Sequence, residues 1–162
     1  MRLVVTSEKA ETLNRWQAVF EDCDDVLFQQ APRAETPVDA VLMAGIFAIE
    51  RYGSRPAFEK GQILENRRND GWHDLIVVPP TRPMMRDAGG TWSVRAEYAG
   101  IQPAYYAASH AFQAIAEWND THDPGISAVE VNLPLLDMDH PVDDSSPRSF
   151  RQAWEEYRDR LR

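Results

Sequence analysis

Apolar positions along the chain fall into two rhythms. Short runs rich in β-branched residues, closed by proline or turn residues, read as strands; stretches in which apolar residues recur every three or four positions read as helices. Arg2 to Thr6 is the first strand, and Ser7 or Thr6 stands where a cap belongs for a helix with Glu8 and Glu11 in its first turn. Leu13, Trp16 and Phe20 give that helix one buried face. A second strand, Val26 to Gln30, ends at Pro32. A third, Val38 to Met43, is apolar enough to lie buried on both faces at the centre of a sheet.

The third run ends at Gly45 and gives way to the charged segment Glu50-Arg51-Tyr52-Gly53-Ser54-Arg55, which reads as a loop at the strand's carboxyl end. Asn69-Asp70-Gly71 marks a turn before Leu75 to Val78, and Pro79-Pro80 stops that strand because proline lacks the ladder's donor. Asp87 to Gly90 is a flexible tip. Trp92, Val94, Ala96 and Tyr98 then alternate with polar residues, as in a half-exposed strand or arm. Pro103 to Trp118 is a helix with Ala104, Ala108, Phe112, Ile115 and Trp118 on one face. Ile126 to Leu133 is the last strand, stopped by Pro134. Phe150, Trp154, Tyr157 and Leu161 take the spacing of a closing helix, for which Ser145-Ser146-Pro147 supplies a cap and first turn. Strands alternating with helices predict a single α/β domain over residues 1–162, with helices on both faces of a mixed sheet. Ligands of such sheets bind beyond the carboxyl ends of the strands, which singles out the loops after Met43, Val78 and Leu133.

Composition narrows the function classes. The 162 residues suffice for one core, and 43% hydrophobic with 27% charged residues is ordinary globular usage. A formal charge of −9, from 17 basic and 26 acidic side chains, argues against nucleic acid as a general partner; the basic pair Arg67-Arg68 runs straight into Asn69-Asp70 and reads as a solvated turn. Cys23 is the one cysteine, so neither an intramolecular disulfide nor a cysteine metal cage is expected, and a reducing cytoplasm fits. The opening MRLVVTSEKAE turns polar too soon for a signal-peptide core, and no run is long enough to span a membrane, so no membrane association is expected.

The candidate chemistry lies in the three loops. In the first, Gly45 lets the backbone approach a ligand and the amides after it can open a helix N-terminus that receives an anion. Arg51 and Arg55 supply bidentate donors, Tyr52 a stacking face, and Gly45 and Gly53 clearance. The plainer reading is that Ile46, Phe47 and Ile49 cover the core while Glu50 pairs with Arg51 or Arg55. In the second, Pro80-Thr81-Arg82-Pro83 holds a hydroxyl and a guanidinium in a proline frame, with Met84 and Met85 as apolar walls; a plain turn is the alternative. The third has no glycine to cradle an anion, and only Asn132 offers an amide to a polar ligand.

Asp137, Asp139, His140, Asp143 and Asp144 carry enough oxygens for calcium or magnesium, but their spacing matches no metal loop and they read as a charged surface segment. No metal or cofactor is expected. His73, His110, His122 and His140 adjoin no serine or cysteine nucleophile in sequence, which disfavours a triad.

The order of short strand, helix and strand, then VDAVLMAG, LIVVPPTRPM, an alanine-rich helix and ISAVEVNLPLL, resembles the macrodomain family, especially its divergent bacterial members, over most of residues 1–160. The resemblance implies a three-layer α/β/α sandwich that binds ADP-ribose or related nucleotides, and in some members removes ADP-ribose from proteins or hydrolyses its esters. Val38-Asp39-Ala40 matches the family's strand, and Gly45 to Tyr52 would occupy its first binding loop. Ile46 stands where the family has asparagine, and Glu50-Arg51-Tyr52-Gly53 replaces its glycine cluster. No aspartate for adenine lies near Gln30 and Ala31, and Leu135 and Leu136 replace its glycine-rich phosphate loop. The expectation is therefore a macro-like module of altered specificity for a nucleotide or other small anionic metabolite, read by Gly45, Arg51, Tyr52, Gly53, Arg55, Thr81, Arg82 and Asn132. Its rivals are a hydrolase with Glu50 as general base, and an interaction scaffold or homodimer anchored by Trp72, Trp92, Tyr105 and Tyr106.

Overall fold

A computed structural model describes residues 1–53, 60–140 and 144–162. Its strands are β1 (Arg2–Thr6), β2 (Val26–Gln29), β3 (Ala40–Leu42), β4 (Gln62–Glu65), β5 (Leu75–Val78), β6 (Met84–Arg86), β7 (Trp92–Val94) and β8 (Ala128–Asn132). Its helices are α1 (Ala10–Val19), α2 (Gly45–Tyr52), α3 (Pro103–Asn119) and α4 (Ser145–Arg160). Six strands form one sheet in the order β2-β1-β8-β3-β5-β4, while β6 and β7 pair as a separate antiparallel hairpin. All neighbours in the large sheet are parallel except β4 and β5, so the α/β fold has a mixed central sheet. No helix among the described residues is long and apolar enough to cross a membrane.

Strand side chains alternate between two faces. Leu3, Val5, Ala40, Leu42, Val77, Val129 and Val131 share one core with Trp16 of α1, Phe112 of α3 and Phe150 and Trp154 of α4. Val41, Met43, Ile76 and Val78 point the other way and pack with Ala48 of α2. Helices thus cover both faces, three on one side and the short α2 on the other, an arrangement compatible with a three-layer sandwich. The first core is built around aromatic rings: Phe112 meets Phe150 at 5.6 Å, Trp154 at 5.3 Å and Tyr157 at 5.3 Å between centroids.

The direction of each crossover decides its face. The paths from β1 through α1 to β2, and from β5 through α3 to β8, run toward the β2 edge and lie on the first face. Those from β2 to β3, and from β3 through α2 toward β5, run toward the β4 edge and lie on the second. Parallel crossovers share one hand, so opposite directions require opposite faces. At its carboxyl end β3 therefore sends the chain to one side while its neighbours β5 and β8 send theirs to the other. That divergence opens a crevice there.

Four local expectations need correction. The segment after Gly45 is the helix α2, not a loop; Gly53 ends it in the left-handed region (φ 69°), donating its N–H to the Ile49 carbonyl at 3.2 Å. Neither Thr6 nor Ser7 caps α1, whose N-cap is Lys9. Instead the Ser7 hydroxyl accepts the Lys9 N–H (3.0 Å) and donates to Asp139 (2.6 Å). The arm begun by Trp92 keeps strand form only to Val94 and then becomes a 3-10 turn over Ala96–Tyr98. Finally, β4 is an edge strand the apolar pattern did not announce. Just before it stands Gly61, where a Cβ would lie 2.6 Å from the His110 carbonyl oxygen of α3, so only glycine permits this approach.

Candidate functional site

A cleft of about 600 Å³ lies beyond the carboxyl ends of β3, β5 and β8. Ala44, Gly45 and Ile46 come from the end of β3, Pro79 to Arg82 from β5, and Leu136, Asp137 and Met138 from the segment after β8. Met84 and Val94 of the hairpin form an apolar wall, and Pro103, Ala104 and Ser146 bring in the starts of α3 and α4.

Local chemistry explains each wall. Pro79 and Pro80 are buried and end the β5 ladder, so Thr81 and Arg82 leave the sheet on a stiff stem. Thr81 is exposed. Arg82 is half-buried, lines the cleft and is anchored by donating to the Ile101 carbonyl at 2.8 Å. Ala44 holds extended backbone as the N-cap of α2 and donates its own N–H to the Leu135 carbonyl at 2.8 Å. Phe47 and Ala48 take the Ala44 carbonyl, which leaves the N–H groups of Gly45 and Ile46 free at the cleft among the described residues. Proline at the start of α3 loses nothing, since a first-turn N–H has no intrahelical acceptor. Asp137 follows a 3-10 turn over Pro134–Leu136 and takes a left-handed conformation (φ 56°), with its exposed carboxylate 3.0 Å from His140 Nε2.

Of the residues expected to read a ligand, Gly45, Thr81 and Arg82 meet at this cleft. No protein atom crowds Gly45, where an added Cβ would only touch Val78 at an ordinary 3.9 Å. Glu50 and Arg51 are exposed on the last turn of α2 and do not line the cleft, so the helix carries the expected base away from it. Tyr52 is already engaged: its hydroxyl donates to Asp70 at 2.8 Å, and burial together with that carboxylate pushes its pKa up to about 12. Hydrogen bonds from Asn66 and Tyr52 in turn hold Asp70 down to about 2. Gly53 serves as the helix cap described above, and Arg55 lies outside the described residues. Asn132 is 2% exposed, is not among the residues lining the cleft, and holds backbone together.

The most constrained polar group is one that the sequence reading passed over. Glu130, with no exposure, sits in the middle of β8 between Val4 and Val41 on the second face. Its Oε1 accepts from the Thr6 hydroxyl (2.8 Å), the Asn132 amide (2.9 Å) and the Ala34 N–H (3.0 Å), and its Oε2 lies 2.8 Å from His73 Nε2. Burial pushes this carboxyl up, yet the bonds from His73, Asn132 and Thr6 outweigh it and leave the pKa below the usual range. The signal was a lone charge inside AVEVN, since a central strand buried on both faces holds a carboxylate only if partners meet it.

The acidic segment also divides. Asp139 is buried, accepting from Ser7 and paired with Lys9 at 3.0 Å, while Asp137 and Asp144 are exposed and Asp143 lies outside the described residues. No group of three acidic, histidine or cysteine side chains that could hold a metal occurs among the described residues. Of the aromatic anchors only Trp92 is exposed, at 62%. Tyr106 is buried, Tyr105 donates to Glu156 at 2.6 Å, and Trp72 is half-buried with the Arg33 guanidinium 3.9 Å over its ring. A wider groove of about 920 Å³ between α1 and α4 is lined by charges that already pair, such as Arg151 with Glu155 at 2.7 Å. Comparison with known protein families, with curated proteins and with solved structures finds no match for this chain.

Proposed function

We propose that this chain is a binding domain for a small anionic metabolite seated in the cleft beyond β3, β5 and β8, in the manner its resemblance to macrodomains leads one to expect. The observation that carries this reading is convergence: the first turns of α2, α3 and α4 and the Arg82 side chain all reach the same cleft. Each helix start contributes roughly 0.3–1 kcal/mol toward an anion. Those contributions act at contact distance, whereas repulsion from the chain's −9 charge is screened beyond about 8–10 Å.

Asp137 shapes the ligand. Its carboxylate repels a second negative group but accepts hydroxyls, so a ligand with a phosphate at the α2 start and Arg82, and hydroxyls toward Asp137, satisfies both ends. Pyrophosphate, ADP-ribose and the common nucleotides form the test panel. Titration calorimetry is expected to detect binding by at least one of them, with amide shifts at Gly45 and Ile46. Silence across the panel, or shifts confined to other surfaces, would overturn the reading.

A hydrolytic alternative remains, with its carboxylate moved. Asp137, not Glu50, is the carboxylate that lines the cleft, and in this alternative it serves as the general base that takes a proton from the attacking water. Under this alternative Asp137→Asn abolishes turnover of ADP-ribosylated protein or ADP-ribose esters while Glu50→Gln leaves it intact. The exposed Ile46 and Met84 of the cleft, with Trp92 on the same face of the hairpin as Met84, favour a second copy as cover for the cleft mouth, which light scattering on the purified chain tests directly.

A further inference from the structure

The buried Glu130 and the cleft are joined by a continuous series of hydrogen bonds. Asn132 has one amide nitrogen with two protons and one oxygen. The nitrogen donates to Glu130 Oε1 and to the Pro32 carbonyl, each at 2.9 Å, and the oxygen accepts the Leu135 N–H at 3.1 Å. The Leu135 carbonyl accepts the N–H of Ala44, the N-cap of α2. Two acceptors on one side of Asn132 permit only one orientation of its amide. Glu130 is itself held as an acceptor, because Thr6, Ala34 and His73 surround it with donors.

We infer that Glu130 and Asn132 are positioning residues for the cleft. The carboxylate fixes which way the Asn132 amide faces, the amide oxygen sets the segment after β8, and the Leu135 carbonyl hangs the start of α2 at the height where Gly45 and Ile46 present their N–H groups. Two walls of the cleft are thereby registered to one buried group on the second face of the sheet. The same Asn132 nitrogen ties down Pro32, and Ala34 bonds Glu130, so the connection from β2 to β3 is fastened to the same network. The functional arm of this inference rests on the anion-binding reading; the geometric arm does not.

Asn132→Asp tests both arms. It is nearly isosteric, but an aspartate cannot donate, so it repels Glu130, releases Pro32 and leaves the Leu135 N–H with a partner that is no longer oriented. Amide hydrogen exchange is expected to quicken about tenfold or more at Ala44 and Leu135, against at most about threefold in α3 at Phe112 and Ile115. Pyrophosphate affinity is expected to weaken about tenfold. Glu130→Gln is the rescuing change: it keeps Oε1 toward Thr6, Ala34 and Asn132 and turns its amide toward His73, whose other tautomer leaves Nε2 as an acceptor. Glu130→Met offers no acceptor and is expected to behave as Asn132→Asp does. Should Asn132→Asp fail to fold, Asn132→Ser carries the same measurements. Exchange that rises equally at Ala44, Leu135 and α3 would overturn the inference, as would an unchanged pyrophosphate affinity beside a selectively loosened Ala44. If the wild-type chain binds no pyrophosphate, the binding reading falls for that probe, and the positioning claim stands or falls on the exchange pattern alone.

Discussion

His73 Nε2 lies 2.8 Å from Glu130 Oε2, joining the approach to β5 with the middle of β8 across 57 positions of sequence. Thr6, Ala34 and Asn132 also donate to that carboxylate, so a proton added to Glu130 costs at least one of these hydrogen bonds.

The carboxyl's depressed pKa makes this a stability term with a definite sign. Its contribution is complete above the unfolded carboxyl's value, near 4.5, and is lost as pH falls through the lower folded value. Urea midpoints measured at about pH 6 and about pH 3 are expected to drop more for the wild type than for Glu130→Gln, which has no proton to take up. Asp70 and Asp39, also depressed, act in both proteins and cancel in the comparison. Equal drops would refute the assignment.

Gly61 tests the contact between β4 and α3. An alanine there would bring Cβ to 2.6 Å from the His110 carbonyl oxygen and 3.0 Å from the Ala114 methyl, and backbone on both sides has little room to yield. Gly61→Ala is expected to cost about 1–3 kcal/mol, read as a lower thermal midpoint. A neutral or stabilising result would show that β4 does not press on the helix as described.

Arg82 and Arg51 separate cleft from surface. Arg82→Ala removes a guanidinium from the cleft and is expected to weaken anion binding about tenfold or more, whereas Arg51→Ala, on the exposed turn of α2, leaves it within twofold of wild type, roughly. Calorimetry with the same ligand on both variants decides; equal losses would return the binding site to the far end of α2.

Phe112 is the hub of the aromatic core, 1% exposed and in ring contact with Phe150, Trp154 and Tyr157. Phe112→Ala is expected to destabilise by about 3–5 kcal/mol, with the cavity contributing beyond the lost transfer energy. Denaturant unfolding measures it, and a loss under about 1 kcal/mol would mean the cluster repacks freely.

The candidate site was legible in part. Thr81 and Arg82 were found because Pro79, Pro80 and Pro83 mark, in sequence, a strand that stops and a stem that stiffens. Glu50, Arg51 and Tyr52 drew attention through charge, but their local period is helical. The 3.6-residue repeat turns Glu50 and Arg51 to solvent and Tyr52 toward Asp70. Asn132 stands in sequence as an amide open to a polar ligand; in the fold that amide is taken up by Glu130, Pro32 and Leu135.

The sequence by itself determined the α/β alternation, a buried central strand within Val38 to Met43 that the fold narrows to Ala40–Leu42, the strand ends before Pro79 and Pro134, and the region where the loops gather. Periodicity and backbone chemistry are local, so they speak for one element at a time. Only the tertiary structure decided that α2 lies on the face opposite the other described helices, that three helix starts meet Arg82 at one cleft, and that Glu130 finds four donors from four separate segments. Those relations depend on strand order and on the shared hand of the crossovers, which bring together residues that no window of sequence contains.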